Sequence, residues 1–310
     1  MGGESFQMME KFLRDQFEVI LFSGNSDSGS QEDAVATADL SKKVGAEWVV
    51  VDGYQFDSGY QSLLKASGLR LLWIDDYGHA APYTADIVLN QNTSADEAMY
   101  SKRSLGTRVL LGPQYVLLRR EFWRWRDWRR THRPKVKKVL VMFGGGDSTD
   151  IIRNVMNALE DLSEKNEMVF TVVSEFMSAK SPDTNNVEIK SYLRTRYLKS
   201  IEDMSPLMAE ADLAISAIGS TCWEMAFMGL PAIVYYMALN QEGVAYTLDR
   251  MGVVRRAYHN DPFNRGELVE MVRDICNDAD LRRRMSEAGR RLVDGRGGFR
   301  VVKIMREVAT

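Results

Sequence analysis

Ala211-Asp212-Leu213-Ala214-Ile215 runs directly into Ser216-Ala217-Ile218-Gly219-Ser220-Thr221-Cys222-Trp223-Glu224. The apolar run reads as a buried strand, the small residues after it as a turn, and Thr221 onward as the first turn of a helix. A strand feeding a Gly/Ser/Thr turn into a helix N-terminus aims free backbone N–H groups and the positive end of a helix dipole at one spot. Such a spot binds phosphate. Glu224, at the fourth position of the helix, is placed to accept hydrogen bonds from ribose hydroxyls. By itself the segment predicts a nucleotide or nucleotide-sugar site, with a plain strand–helix turn as the competing account.

Working outward, apolar runs of strand length alternate with helical-period segments. Phe17 to Phe22 reads as a strand, Gln31 to Val44 as an amphipathic helix, and Trp48 to Asp52 as a buried strand followed by a helix over Ser58 to Ala66. Leu69 to Ile74, Ile87 to Leu89 and Val109 to Leu111 are further strands. The alternation restarts at Val139 to Phe143, with a helix over Thr149 to Leu162. Strands follow at Val169 to Val173, Asp212 to Ser216 and Ala232 to Tyr235, then helices from about Gln241 and through 264–309. Continuous Val/Ile/Leu runs separated by helices are the pattern of parallel sheets covered on both faces. The reading is an α/β chain of two Rossmann-like, doubly wound halves, 1–130 and 131–310, with ligand in the cleft at the strand C-termini.

Between the halves, Phe122-Trp123-Arg124-Trp125-Arg126-Asp127-Trp128-Arg129-Arg130 alternates cations with aromatics. That pattern superficially suggests nucleic acid. The net charge of -3 argues otherwise. The segment is therefore expected to be an amphipathic linker helix, with tryptophans packed on the domains and arginines facing water. Two cysteines form no disulfide framework and fit a reducing cytoplasm. No apolar run is long enough to cross a membrane, and the N-terminus lacks a basic start followed by an apolar stretch. The three histidines, His79, His132 and His259, are scattered, so no metal site is expected.

Two further segments belong with the opening one. Gly144-Gly145-Gly146-Asp147 follows a strand and precedes a helix, offering an anion nest or simply a tight turn. It is neither a Walker sequence nor a GxGxxG fingerprint. Asn240-Gln241, after the strand ending near Tyr236, offers amides suited to sugar hydroxyls or to orienting a water; the plainer reading is an N-cap. All three segments follow strands of one sheet and so share an edge, which makes coincidence harder to sustain for the set than for any one. Asp75-Asp76 closes a strand near His79. Asp75 reads best as an Asx-type loop closure, while Asp76 is a candidate substrate contact.

Trp48-Val49-Val50-Val51-Asp52-Gly53-Tyr54, Ile74-Asp75-Asp76, Ala85 to Asn92 and Leu111 to Arg119 together resemble the bacterial nucleotide-sugar hydrolases of pseudaminic acid biosynthesis and their spore-coat-polysaccharide relatives. Phe143 to Asp147, Ser216 to Glu224 and Asn240-Gln241 continue that resemblance over nearly the whole chain. The resemblance implies a two-domain GT-B fold and hydrolysis of UDP-2,4-diacetamido-2,4,6-trideoxy-β-L-altropyranose to free sugar and UDP, in the cytoplasm and without a metal or cofactor. It implies that Gly145, Gly146, Ser220 and Thr221 hold the diphosphate and Glu224 the ribose. Asn240 and Gln241 would face the sugar, with Asn240 positioning the attacking water.

The family opens with a strand and a Gly-x-Gly-His-x-x-Arg turn whose His is the presumed catalytic group. That pattern does not occur in these 310 residues, so the first domain is expected to lack its first strand–helix unit through a misplaced start or a fragment. Two alternatives keep the ligand and change the chemistry: a GT-B glycosyltransferase using a UDP-sugar, and a non-catalytic UDP-sugar-binding paralogue.

Overall fold

Ten parallel strands build two separate sheets in the computed structural model, which describes residues 27–143, 148–160, 162, 167–174, 194–199, 201–236, 239–258 and 263–309. The strand expected at Phe17 to Phe22, the glycines at 144–146 and His259 lie outside the described residues.

The first sheet is β1 (Trp48–Asp52), β2 (Arg70–Ile74), β3 (Ile87–Asn90) and β4 (Arg108–Leu111), paired in that order. Helices α1 (Gln31–Lys43) and α2 (Ser58–Ala66) are capped by Ser30 and Asp57, whose side chains accept from Asp33 N and Tyr60 N. They bury Ala34, Ala38, Tyr60 and Leu64 against one face, with Leu71, Trp73 and Val88. The opposite face, Leu72, Ile87, Leu89 and Leu110, is covered by Val301, Ile304, Met305 and Val308 of the last helix, α9 (Gly297–Ala309). The end of the chain therefore packs on its first sheet.

The second sheet has β5 (Lys138–Met142), β6 (Val169–Val173), β7 (Arg194–Leu198), β8 (Leu213–Ala217), β9 (Ala232–Tyr236) and β10 (Arg255–Tyr258) in the order β10-β9-β8-β5-β6-β7. The helices among them are α3 (Thr149–Ala158), α4 (Ser205–Glu210), α5 (Ser220–Phe227), α6 (Leu239–Arg250), α7 (Arg265–Asn277) and α8 (Ala279–Leu292). Apolar clusters cover both faces, which is why β5, β8 and β9 are apolar without alternation. From β5 the chain winds outward through β6 and β7, and from β8 the other way through β9 and β10. The strand order thus reverses between β5 and β8, which are paired with Met142 opposite Ser216. In such sheets the crevice outside the strand C-termini at the reversal is where ligands bind.

Two strands escaped the sequence reading. β7, Arg-Thr-Arg-Tyr-Leu, is an edge strand with little apolar content, and β10, Arg-Arg-Ala-Tyr, is a four-residue strand that opens on two arginines. The linker also differs from expectation. Arg120–Trp125 is a 3-10 turn rather than an amphipathic helix, and its arginines do not simply face water. Trp125 Nε1 donates to Ser205 Oγ at 2.7 Å. Arg130 donates to the carbonyls of Met208, Ala211 and Met228, two of them at the ends of α4 and α5. The guanidinium supplies partners for carbonyls that helix ends leave free, so the cation is half-buried for a structural reason. Burial pulls the Arg130 pKa down to about 10.

Candidate active-site cleft between the two sheets

The C-terminal edges of the two sheets face each other across a cleft of about 410 Å³. One wall comes from the second sheet: Ile218, Gly219 and Ser220 after β8, Trp223 of α5, and Gln241 and Val244 of α6. The other comes from the first: Asp52 and Gly53 at the end of β1, Tyr54, Ile74, Asp76, Tyr77, and Gln91, Asn92 and Ser94 after β3.

The second-sheet wall is made by backbone. Gly219 is the N-cap of α5, has no side chain to spend on the helix, and leaves the helix without a side-chain cap. Cys222 N donates to the Gly219 carbonyl at 2.9 Å, so the N–H groups of Ser220 and Thr221 ahead of it are the ones that no side-chain cap takes and that an anion can use, with the helix dipole behind them. Ser220 is exposed there and Thr221 follows in the first turn. Gln241 also lines the cleft, and Asn240 precedes it in the first turn of α6. The Asn240 side chain, like Gly145 and Gly146, lies outside the described residues.

Glu224, one turn into α5, is buried and does not line the cleft directly. Its carboxylate takes two parallel hydrogen bonds from Arg119 at the start of the linker, Nε to Oε1 at 2.6 Å and Nη2 to Oε2 at 3.0 Å. Burial works against the Arg119 charge, but Glu224 outweighs it and holds the guanidinium above its ordinary pKa. The fork leaves each carboxylate oxygen a second lone pair.

The first-sheet wall is made by side chains. Asp75 is buried and accepts from the backbone N–H groups of Tyr77 (2.8 Å) and Gly78 (2.6 Å), the Asx-type closure expected of it. It also accepts from the hydroxyls of Tyr83 at 2.7 Å and Tyr100 at 3.1 Å, and His79 Nδ1 sits 3.2 Å from it. Burial, then the negative Asp75, holds the Tyr83 hydroxyl far above its ordinary pKa, so it stays a donor.

This knot turns Asp76 into the cleft. There Asp76 Oδ2 accepts from Tyr54 Oη at 2.6 Å and Oδ1 from Asn92 Nδ2 at 2.7 Å. Asn90 fixes both neighbours, donating to the Asp76 carbonyl at 2.9 Å and accepting from Asn92 N at 3.0 Å. Gln91 Oε1 accepts from Leu117 N at 3.0 Å and so ties the wall to the linker. Gly53 turns the chain beyond Asp52 with a φ of +151°, a conformation that favours glycine.

Of the residues expected at the site, the structure thus brings Ser220, Gln241 and Asp76 into one cleft, with Thr221 beside Ser220 and Glu224 one turn behind. Sequence reasoning passed over Asp52 and Tyr77 as site residues. The signal was present: Asp52 ends an otherwise apolar strand, at the end where parallel sheets place ligands. Among the described residues lining the cleft there is no Lys, Arg or His.

A larger pocket, about 810 Å³, lies between the linker (Val116 to Leu118, Trp123) and α9 (Phe299, Val302). Its lining is mostly apolar and collects neither the strand C-termini nor the uncapped helix, so the smaller cleft is the chemically equipped one.

The two facing parallel sheets, the second reversing its strand order at the cleft, have the GT-B fold. Residues 139–288 match the glycosyltransferase family 28 C-terminal domain. The chain matches the structure of MurG of Acinetobacter baumannii with a TM-score of 0.64 at 15% identity, covering 97% of this chain and 88% of that one. UDP-GlcNAc 2-epimerase from Neisseria meningitidis, solved bound to UDP-GlcNAc, matches with a TM-score of 0.69 at 10% identity over 99% and 90% of the two chains.

In sequence, the chain is 28% identical over 207 residues to the spore coat polysaccharide biosynthesis protein SpsG of Bacillus subtilis, covering 65% of this chain and 59% of that protein. An uncharacterized protein of Methanocaldococcus jannaschii is 25% identical over 236 residues, 74% of this chain and 46% of the relative. The chain thus spans about half the length of the curated relatives it matches.

Proposed function

We propose that this protein hydrolyses a UDP-linked diacetamido-trideoxyhexose to the free sugar and UDP, in pseudaminic acid (nonulosonate) or surface polysaccharide biosynthesis. The observation that carries the reading is the uncapped N-terminus of α5 at the strand-order reversal, opening into the cleft between the sheets. The motif resemblance, the spore-coat relative and the UDP-GlcNAc bound to a structural neighbour support it.

In this reading, 131–310 is the UDP-binding domain and 1–130 the sugar side. Gly145, Gly146, Ser220 and Thr221 hold the diphosphate through backbone N–H and hydroxyl donors, and Glu224 takes the ribose hydroxyls on its free lone pairs. Gln241 and Asp76 contact the sugar, and Asn240 positions the water. Electrostatics orients the ligand. The carboxylates of Asp52 and Asp76 repel a diphosphate, so the phosphates go to the helix terminus and the uncharged sugar to the acidic wall. UDP is a stable leaving group, so the chemistry asks chiefly for a positioned nucleophile and a base.

A glycosyltransferase is the second reading, favoured by the match of 139–288 to a glycosyltransferase domain. The test is to incubate the protein with the UDP-sugar and follow UDP release without any acceptor. Release in water supports hydrolysis. No release from that sugar or its close relatives, with release on adding a sugar acceptor, moves the assignment to transfer.

A further inference from the structure

We infer that Arg119 is a positioning residue for the nucleotide: it holds the Glu224 carboxylate ready for the ribose hydroxyls and so sets a preference for a ribonucleotide over its deoxy analogue. The inference rests on the reading that the protein binds UDP with its ribose at Glu224.

The contact joins two distant parts of the chain. Glu224 belongs to α5, and its partner lies 105 residues earlier, at the start of the linker. Only 9% of the Glu224 side chain is exposed, against 39% for Arg119, so the linker brings a cation to the one open side of a carboxylate set into the domain. The two parallel bonds, at 2.6 and 3.0 Å, fix the plane of the carboxylate as well as its place. A point charge such as a Lys ammonium fixes only the place.

The guanidinium is itself held. Its face lies over the ring of the fully buried Phe122, 5.5 Å from the centroid, and its Nη1 donates to the Glu202 carbonyl at 3.4 Å. Two residues before it, Leu117 N donates to Gln91 in the other wall of the cleft. Glu224 is therefore ordered from the linker before any nucleotide arrives. A glutamate is rich in rotamers, and one left to rotate has to be ordered by the incoming ribose, at a cost to affinity. Arg119 removes that cost, and the lone pairs outside its fork remain for hydroxyl donors. The effect falls on the ribose alone, because the diphosphate goes to the N-terminus of α5.

The test is calorimetric titration of UDP and of 2′,3′-dideoxyuridine diphosphate into wild type, Arg119→Gln, Arg119→Lys, Glu224→Ala and the double variant Arg119→Gln with Glu224→Ala. Wild type is expected to prefer UDP by about tenfold, the size of a hydrogen bond to a charged group. Arg119→Gln should weaken UDP roughly fivefold to tenfold and leave the dideoxy analogue within about twofold, so that the preference nearly vanishes. Arg119→Lys, which keeps the charge and loses the fork, should restore only part of it. It carries the same comparison if Arg119→Gln does not fold. In Glu224→Ala the preference is already gone, and adding Arg119→Gln should change it no further. Arg119 variants that keep the wild-type preference, or that weaken both nucleotides by the same factor, overturn the role and leave the UDP reading intact. A wild type that binds both nucleotides alike overturns the ribose contact at Glu224 together with this role, and one that binds neither overturns the UDP reading itself.

Discussion

The two walls of the cleft are built from different materials. The wall after β8 presents backbone: an uncapped helix end, with Gly219 and Ser220 small enough to leave its N–H groups open. The wall after β1 and β2 presents side chains held by other side chains, from the buried Asp75 through Tyr83 and Tyr100 outward to Asp76, Tyr54 and Asn92. A backbone wall suits a fixed ligand part such as a diphosphate, because its geometry comes with the helix. A side-chain wall suits the part of the ligand that varies and the chemistry done on it. The difference also predicts how each wall fails. The side-chain wall should lose stability when its inner members are removed, and the backbone wall should lose ligand when bulk or negative charge is added.

The largest effect is expected at Asp75. Asp75→Ala leaves two backbone N–H groups and two buried hydroxyls without their acceptor, and the cost should be about 3 kcal/mol in denaturant-induced unfolding. A loss under about 1 kcal/mol would mean that the knot does not hold the wall. At Glu224 the two regions meet, since Arg119 of the linker is its partner. Glu224→Ala should cost about 1 kcal/mol of stability, reduced because Arg119 is more than a third exposed and water can replace the carboxylate. UDP affinity should fall roughly tenfold with it, through the lost ribose contact, about 1.4 kcal/mol.

Gly219→Ala separates fold from ligand. An added Cβ meets nothing within 4 Å, and the backbone is extended rather than left-handed, so thermal stability should not move. The methyl group sits in the cleft, and UDP should bind several-fold more weakly by calorimetry. A melting temperature that drops instead would show that Gly219 serves the chain, not the ligand.

The smallest effect comes from Asp52. Its folded pKa lies above its unfolded value, so its ionisation opposes folding at neutral pH, and that opposition disappears as pH falls through the raised pKa. Asp52→Asn should therefore raise stability by a few tenths of a kcal/mol near pH 7 and by nothing at pH 3, read from unfolding curves at the two pH values. A destabilised variant at neutral pH would contradict the placement of Asp52 beside Asp76.

The same contrast explains what could be read from the chain. The backbone wall was legible because a phosphate-binding turn needs an apolar strand, small residues and a helix start in that order, and 211–224 spells it out. The parallel strands of the first sheet and β5, β6, β8 and β9 of the second were legible as Val/Ile/Leu runs, and the Asx closure by Asp75 as a consequence of its place after β2. The linker was misread because its pattern of Arg and Trp does not reveal that carbonyls at the ends of α4 and α5 are the partners of Arg130. β7 and β10 were missed because Arg-Thr-Arg-Tyr-Leu and Arg-Arg-Ala-Tyr contain no run of Val, Ile or Leu. Asp52 was passed over because Val-Val-Val-Asp reads first as the end of a buried strand, and the other wall of the cleft, which makes that end a lining, is far away in the sequence.

The most direct test of the central claim is calorimetric titration of UDP into wild type and Ser220→Asp. The account predicts binding to wild type and at least a hundredfold loss in Ser220→Asp, because a carboxylate placed at the N-terminus of α5 takes the N–H groups and repels the diphosphate. UDP binding that is unchanged in Ser220→Asp would contradict the account, and so would a wild type that does not bind UDP at all.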